Sequence, residues 1–108
     1  MEPFQQKLNE LSADKLRQLS LPYLARHLSV SPRTMARRFL DELHTTPGKW
    51  IVEKRLEAAR ALLETTRLGV AEICYRVGYQ DVASFSRLFS RASGVAPGEF
   101  RKQAQGRA

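Results

Sequence analysis

The stretch TTPGKWIVEKRLEAARALLETT, Thr45 to Thr66, is bracketed by two versions of one unit. Phe39 sits under Phe89, Pro47 under Pro97, Gly48 under Gly98 and Trp50 under Phe100, all fifty residues apart, so that MARRFLDELHTTPGKW pairs with FSRLFSRASGVAPGEF. Upstream, LARHLSV (Leu24 to Val30) pairs with ICYRVGY (Ile73 to Tyr79) at an offset of 49, which puts one extra residue in the second turn. Two copies are too few for a solenoid, whose faces need at least about three units to be buried. Two small modules on a shared element is the reading that remains. Within the stretch Thr46 caps and Pro47 opens a long helix. Its apolar residues, Trp50, Ile51, Val52, Leu56, Ala59, Leu62 and Leu63, cover more than one face, as expected if each end packs into a different module. The division is therefore 1–46, a first module; 47–66, a linker helix; and 67–108, a second module.

Working outward, Phe4, Leu8 and Leu11, then Leu16 and Leu19, have helical spacing. They predict one helix or two over residues 3–19, with a break at Ser12 to Asp14. Ser20 caps a short helix, Leu21 to Leu28, whose apolar face is Leu21, Leu24, Ala25 and Leu28. Ser29 to Pro32 form a tight turn, and Ser31 with Pro32 restarts a helix that runs to about Leu43. Met35, Phe39 and Leu43 fix its buried stripe and leave Arg33, Ala36 and Arg37 together on the outside. A short helix, a tight turn and a second helix with an outward basic face describe a helix-turn-helix, in which the second helix reads bases in a major groove.

The second copy follows the same plan. Val70, Ile73, Cys74 and Val77 form the short helix after Gly69, Gly78 to Gln80 the turn, and Asp81 the cap of a helix from Val82 to about Ser93. Phe85, Leu88 and Phe89 turn inward, leaving Val82, Ala83, Ser86 and Arg87 outside. With one charge in that set, this helix is expected to read bases through methyl contacts and hydroxyls, and the first module to be the stronger reader. Pro97 opens a last short helix; Ala96 before it offers no side-chain cap, and the tail from Gln103 is expected to fray. The linker helix, at ~1.5 Å per residue, is about 30 Å long. One turn of B-DNA is roughly 34 to 36 Å, so such a rod could hold two reading helices in successive major grooves.

Composition agrees with this. The chain has 108 residues, a formal charge of +7 and a pI near 10.2. From Val82 onward Glu99 is the only acid, against Arg87, Arg91, Arg101, Lys102 and Arg107. Such a basic field attracts polyanions, nucleic acid first and an anionic membrane surface second. Cys74 is the single cysteine, so no intrachain disulfide forms, and its apolar setting marks a buried side chain rather than a reactive thiol. His44 falls where the first module's helix must stop, at the place of Gly94; glycine is usual there because the chain turns through positive φ. With His27 as its only histidine partner it is not read as a zinc ligand. No metal or cofactor is expected. No apolar run has membrane-spanning length, and the start lacks a signal peptide's basic and apolar parts.

The motifs SPRTMARRF, RLEAARALL and EICYRVGYQDVASFSRLFSRASGVAPGEFR resemble the DNA-binding domain of the AraC/XylS transcriptional regulators. The resemblance covers about Ser20 to Arg101. It implies an all-α fold of about seven helices, monomeric binding of one domain to double-stranded DNA across two major grooves, and transcriptional control, usually activation through RNA polymerase, in the bacterial cytoplasm. By position it places base reading at Arg33, Ala36, Arg37, Val82, Ala83, Ser86 and Arg87. Phosphate contacts fall at Ser31, Thr34, Arg38, Gly48, Lys49, Ser84 and Gly98. The SPRTMARRF wording is most similar to members with an amidase-like or effector-binding domain in front. His44, Gly69, Cys74 and Ala96 depart from the family pattern. Arg55, among core positions of the linker helix, is expected in an internal ion pair with Glu57, Glu64 or Asp41, and Trp50 and Phe100 in core packing rather than base stacking.

A complete small regulator, a helical protein-interaction module and a nonspecific polyanion binder remain as alternatives. The repeated reading face at the pitch of DNA separates the leading reading from the last two. An enzyme is not expected, since no nucleophile–base pair, phosphate loop or metal constellation occurs in the sequence.

Overall fold

The computed structural model describes residues 4–11 and 13–106, and every regular element among them is helical. Ser12, in the expected break, and Arg107, in the basic tail, lie outside the described residues. In order the elements are α1 (Phe4–Asn9), a 3₁₀ helix (Ala13–Gln18), α2 (Leu21–Leu28), α3 (Pro32–Leu43), α4 (Pro47–Thr65), α5 (Val70–Arg76), α6 (Val82–Ser93) and α7 (Pro97–Gln105). The expected all-α fold is therefore observed, and the first segment consists of a helix and a 3₁₀ turn. Chain packing divides inside α4: the described residues up to Lys54 form one compact unit and those from Arg55 a second.

The first unit is built on α3. Met35 and Phe39 are buried, as the spacing predicts, and Phe39 takes two rings edge-on, Phe4 at 5.0 Å and Trp50 at 5.8 Å. Leu8, Leu16, Leu19, Leu24, Ala25 and Ile51 complete the core. Each fully buried large apolar side chain contributes roughly 1.5–3 kcal/mol. Leu21, expected on the apolar face of α2, is instead 47% exposed. It is the first residue of its helix, one turn short of the buried Leu24 and Ala25.

The second unit repeats the plan fifty residues on. Phe85 and Phe89 are buried at the places of Met35 and Phe39, and Phe100 meets Phe89 edge-on at 5.4 Å, as Trp50 meets Phe39. Both Trp50 and Phe100 thus pack in cores. Ile73, Cys74, Val77, Leu56, Ala59 and Leu63 close this interior. Arg55 lies with its guanidinium 5.2 Å from the centre of the Tyr79 ring, a cation–π contact that spacing along α4 did not suggest.

Helix ends repeat too. After α2, the Ser29 N–H donates to Arg26 O at 3.1 Å and the Val30 N–H to Ala25 O at 3.1 Å; after α5, Gly78 and Tyr79 donate to Tyr75 and Cys74 at 3.1 and 3.0 Å. These paired bonds satisfy carbonyls at the helix end and require a left-handed residue between them. That residue is Ser29 (φ 59°) in one copy and Gly78 (φ 109°) in the other. The second left-handed pair is His44 (φ 57°) and Gly94 (φ 85°), where the sequence predicts positive φ.

The tail differs from expectation. Helix α7 runs to Gln105 instead of fraying from Gln103. The Gln105 amide donates to Leu63 O at 2.7 Å and to Thr66 O at 3.0 Å, and Arg101 donates to Leu63 O at 3.5 Å and Leu68 O at 2.5 Å. These two side chains satisfy carbonyls at and beyond the end of α4, which have no intrahelical donor. No helix among the described residues is long and apolar enough to cross a membrane.

Candidate nucleic-acid interface

Each candidate reading face exists because a cap and a buried stripe fix how its helix lies. Ser31 accepts the Thr34 N–H at 3.2 Å and Pro32 supplies the first helical residue of α3. With Met35 and Phe39 held inside, Arg33, Ala36 and Arg37 are exposed together. Neither arginine enters a hydrogen bond or ion pair among the described residues, so both present full sets of N–H donors to solvent. Leu40, at the next position of the same i, i+3, i+4, i+7 stripe, is 60% exposed and lengthens the face by a turn. The helical period contains this residue, but an uncharged leucine gives no polar signal of a reading position.

On α6, Asp81 caps by accepting the Ala83 N–H at 3.2 Å. Ala83 and Arg87 are exposed, while Val82 and Ser86 are half-buried. The second face is therefore narrower than spacing alone suggests. Ser84 donates to Asp81 Oδ2 at 2.5 Å and accepts from Arg87 Nη2 at 3.3 Å. The Asp81 carboxyl is held below the usual aspartate range, first by the Ser84 hydroxyl; desolvation opposes this, and the Ala83 and Ser84 amides and the nearby Arg87 charge add to the lowering.

The candidate phosphate residues fall into two groups. Gly48, Lys49 and Gly98 are exposed in the first turns of α4 and α7. A Cβ at Gly48 or Gly98 would meet open space, so packing does not demand glycine at either place. The others are engaged within the fold. Ser31 and Thr34 hold each other, with Ser31 Oγ donating to Thr34 Oγ1 at 3.1 Å, and Ser84 is bonded as above. Arg38, with its guanidinium 4.9 Å from the centre of the Phe4 ring, pairs with Glu42 at 3.2 Å. That guanidinium is thus partly committed to covering the first unit's core.

The remaining reactive residue types have structural places. Cys74 is buried, and burial followed by the Asp81 charge pushes its thiol upward, away from the reactive thiolate. His27 Nε2 is 2.7 Å from Lys7 O, which makes that nitrogen the protonated one. Among the described residues no group of three or more metal-ligating side chains converges.

Two helix-turn-helix units, each with an arginine-bearing face on its second helix, define a double helix-turn-helix protein. Residues 24–103 match the helix-turn-helix domain family, and the chain belongs to the AraC/XylS family of such proteins. It is 41% identical over 85 residues to the transcriptional activator NphR of a Rhodococcus species, covering 79% of this chain and 25% of that protein. It is 35% identical over 78 residues to the arabinose operon regulatory protein of Escherichia coli K12, covering 72% of this chain and 27% of that one. The fold superposes on the DNA-binding domain of AdpA, a global transcriptional factor solved in complex with a target DNA, with a TM-score of 0.86 and 27% identity, covering 99% of this chain and 96% of that domain. The chain spans about a quarter of the length of the curated relatives it matches.

Proposed function

We propose that this chain is the DNA-reading part of a bacterial transcription regulator, and that it binds double-stranded DNA sequence-specifically with α3 and α6 in successive major grooves. The observation that carries this is the repetition itself. Arg37 and Arg87 occupy equivalent places, both exposed, each on the second helix of a helix-turn-helix whose opposite stripe is buried. A core repeats in order to fold; packing does not require an exposed arginine at the same place of both copies, and its recurrence supports a partner contacted twice. The charge of +7 supplies the nonspecific attraction.

In this reading Arg33, Ala36 and Arg37 face bases from α3, and Val82, Ala83, Ser86 and Arg87 from α6. Lys49 and the amides at Gly48 and Gly98 meet phosphates, where a glycine with open space beside it lets a backbone approach closely. Residues 47–66 are the spacer: α4 has 19 residues, which is about 28 Å at ~1.5 Å each, comparable with a turn of duplex. A monomeric chain then suffices for both grooves. The relatives are roughly three times as long as this chain. An effector-binding or amidase-like domain on the same polypeptide and a contact with RNA polymerase, both in the bacterial cytoplasm, complete the regulator. NphR is a transcriptional activator and AdpA was solved on a target DNA, and both support this reading of the shared domain.

The experiment is selection of bound duplexes from a random library, followed by Arg37→Ala against the selected and a scrambled sequence. Arg37→Ala is expected to cost about 1–3 kcal/mol on the selected duplex and to relax selectivity at one base pair. Equal losses on both duplexes would make Arg37 a phosphate contact. Recovery of no preferred sequence by the wild-type chain would refute the proposal.

A further inference from the structure

The trio Ser31, Thr34 and Arg37 in the first unit and the trio Asp81, Ser84 and Arg87 in the second hold the same places fifty residues apart, yet they are wired differently. In the first, Ser31 and Thr34 bond to each other and the line stops there; Arg37 enters no hydrogen bond or ion pair among the described residues. In the second, an unbroken line runs along one stripe of α6. Ser84 Oγ donates to Asp81 Oδ2 at 2.5 Å, and Arg87 Nη2 donates to Ser84 Oγ at 3.3 Å.

The protons decide what Ser84 can do. A serine hydroxyl has one proton, and here the Asp81 carboxylate takes it, so only the oxygen lone pairs face outward, toward Arg87. Donation to a carboxylate polarises the hydroxyl and makes its oxygen a better acceptor for the guanidinium. A DNA phosphate at this point would have to displace Asp81 as acceptor and then stand beside its negative charge, an arrangement like-charge repulsion disfavours. The arginine gives up one N–H of five, which leaves enough donors for the fork that fits O6 and N7 of guanine. An arginine already held in place loses less conformational freedom on binding than a free one.

Resting on the reading of α6 as a base-reading helix, we propose that Ser84 is a positioning residue and not a phosphate contact. With Asp81 it sets the direction of the Arg87 guanidinium before DNA arrives, and so makes the second unit the more selective reader at its arginine's base pair. This reverses the ranking that charge count gives, because selectivity depends on how firmly a donor is aimed as well as how many donors there are.

The test measures affinity of the wild-type chain and of Ser84→Ala, Ser84→Thr, Arg87→Ala and the Ser84→Ala/Arg87→Ala double variant. The probes are a duplex selected from a random library by the wild-type chain, its single-base-pair variants and a scrambled duplex. Ser84→Ala is expected to weaken the selected duplex by about two- to tenfold, with the loss confined to the base pair at which Arg87→Ala also loses discrimination. In the Arg87→Ala background the same change should have no further effect. Ser84→Thr should restore binding, since Thr34 shows that a threonine hydroxyl fits this place in the first helical turn. A Ser84→Ala loss equal on selected and scrambled duplexes makes Ser84 a phosphate contact and overturns the inference. So does a variant that binds as wild type, or losses that add independently of Arg87. Those outcomes leave the proposed function standing; a wild-type chain that selects no sequence overturns both.

Discussion

His44 and Gly94 show how one backbone position is served by two residues of unequal comfort. Both end a twelve-residue helix in the left-handed region, His44 at φ 57° and ψ 33°, Gly94 at φ 85° and ψ −15°, and both donate their N–H back to close the last turn. A side chain at such a position carries a steric cost that glycine lacks, partly offset by glycine's larger entropy in the unfolded chain. His44→Gly is therefore expected to stabilise the first unit by about 0.5–1 kcal/mol, read as a raised midpoint in chemical denaturation. The reciprocal Gly94→His should destabilise the second unit by a similar amount. The cap of α7 is open to the same reasoning. Thr46 accepts the Lys49 N–H at 3.2 Å, whereas Ala96, its counterpart, makes no side-chain cap bond. Ala96→Thr supplies the missing acceptor and should add about 0.5–1 kcal/mol, also measurable by denaturation. No gain from Ala96→Thr would mean that the chain entering α7 cannot turn the hydroxyl toward the Glu99 amide.

At the scale of elements, helix starts and buried stripes were legible because they are local. Ser20, Ser31, Asp81, Pro32, Pro47 and Pro97 fall where the helices begin, and Met35, Phe39, Phe85 and Phe89 are inside. The outward faces of α3 and α6 came by subtraction, and the two half-buried members, Val82 and Ser86, mark how far subtraction carries. The features that stayed hidden depend on residues distant in sequence or on side-chain bonding that periodicity does not encode. The ion pair expected of Arg55 says nothing of the ring beside it, and it is packing that sets its guanidinium over Tyr79. Basic composition grouped Arg101 with the polyanion-attracting charges, but its guanidinium is turned to the carbonyls of Leu63 and Leu68. The repeat gave no warning, because Ile51 stands at the place of Arg101 in the first copy. This assigns Arg101 to the second unit's stability. Arg101→Ala should lower that stability by about 1–3 kcal/mol, the cost of leaving part-buried carbonyls unpaired, and should leave the salt dependence of DNA binding nearly unchanged. A reduced salt slope with unchanged stability would instead make Arg101 a phosphate contact.

For the whole molecule the question is whether one chain acts as two readers or as one reader with a passenger. The distinction rests on α4, a single 19-residue helix in which the packing of the chain divides at Lys54 and Arg55. A helix turns by about 100° and rises ~1.5 Å per residue. Two alanines inserted after Lys54 therefore lengthen it by only ~3 Å but rotate the second unit by about 200°. Seven inserted alanines lengthen it by ~10 Å and return the rotation to within about 20°. Each unit keeps its own capped helices and aromatic core, so both insertions should leave the fold of the units intact. If the units bind as one ligand, the affinity gained by joining them is lost when geometry forbids simultaneous engagement, a loss on the order of 10²-fold or more. The two-residue insertion should therefore show this loss, and its footprint should shrink from two major-groove faces about one turn apart to one. The seven-residue insertion tests reach separately from direction, because it restores the rotation while moving the second reader by ~10 Å, about a third of a turn of duplex. If both insertions bind like the parent and protect two faces, α4 does not hold the readers rigidly. If the parent itself protects one face per chain and needs a second chain for the other, the two-groove monomer is wrong and α4 is a tether between a reader and a support.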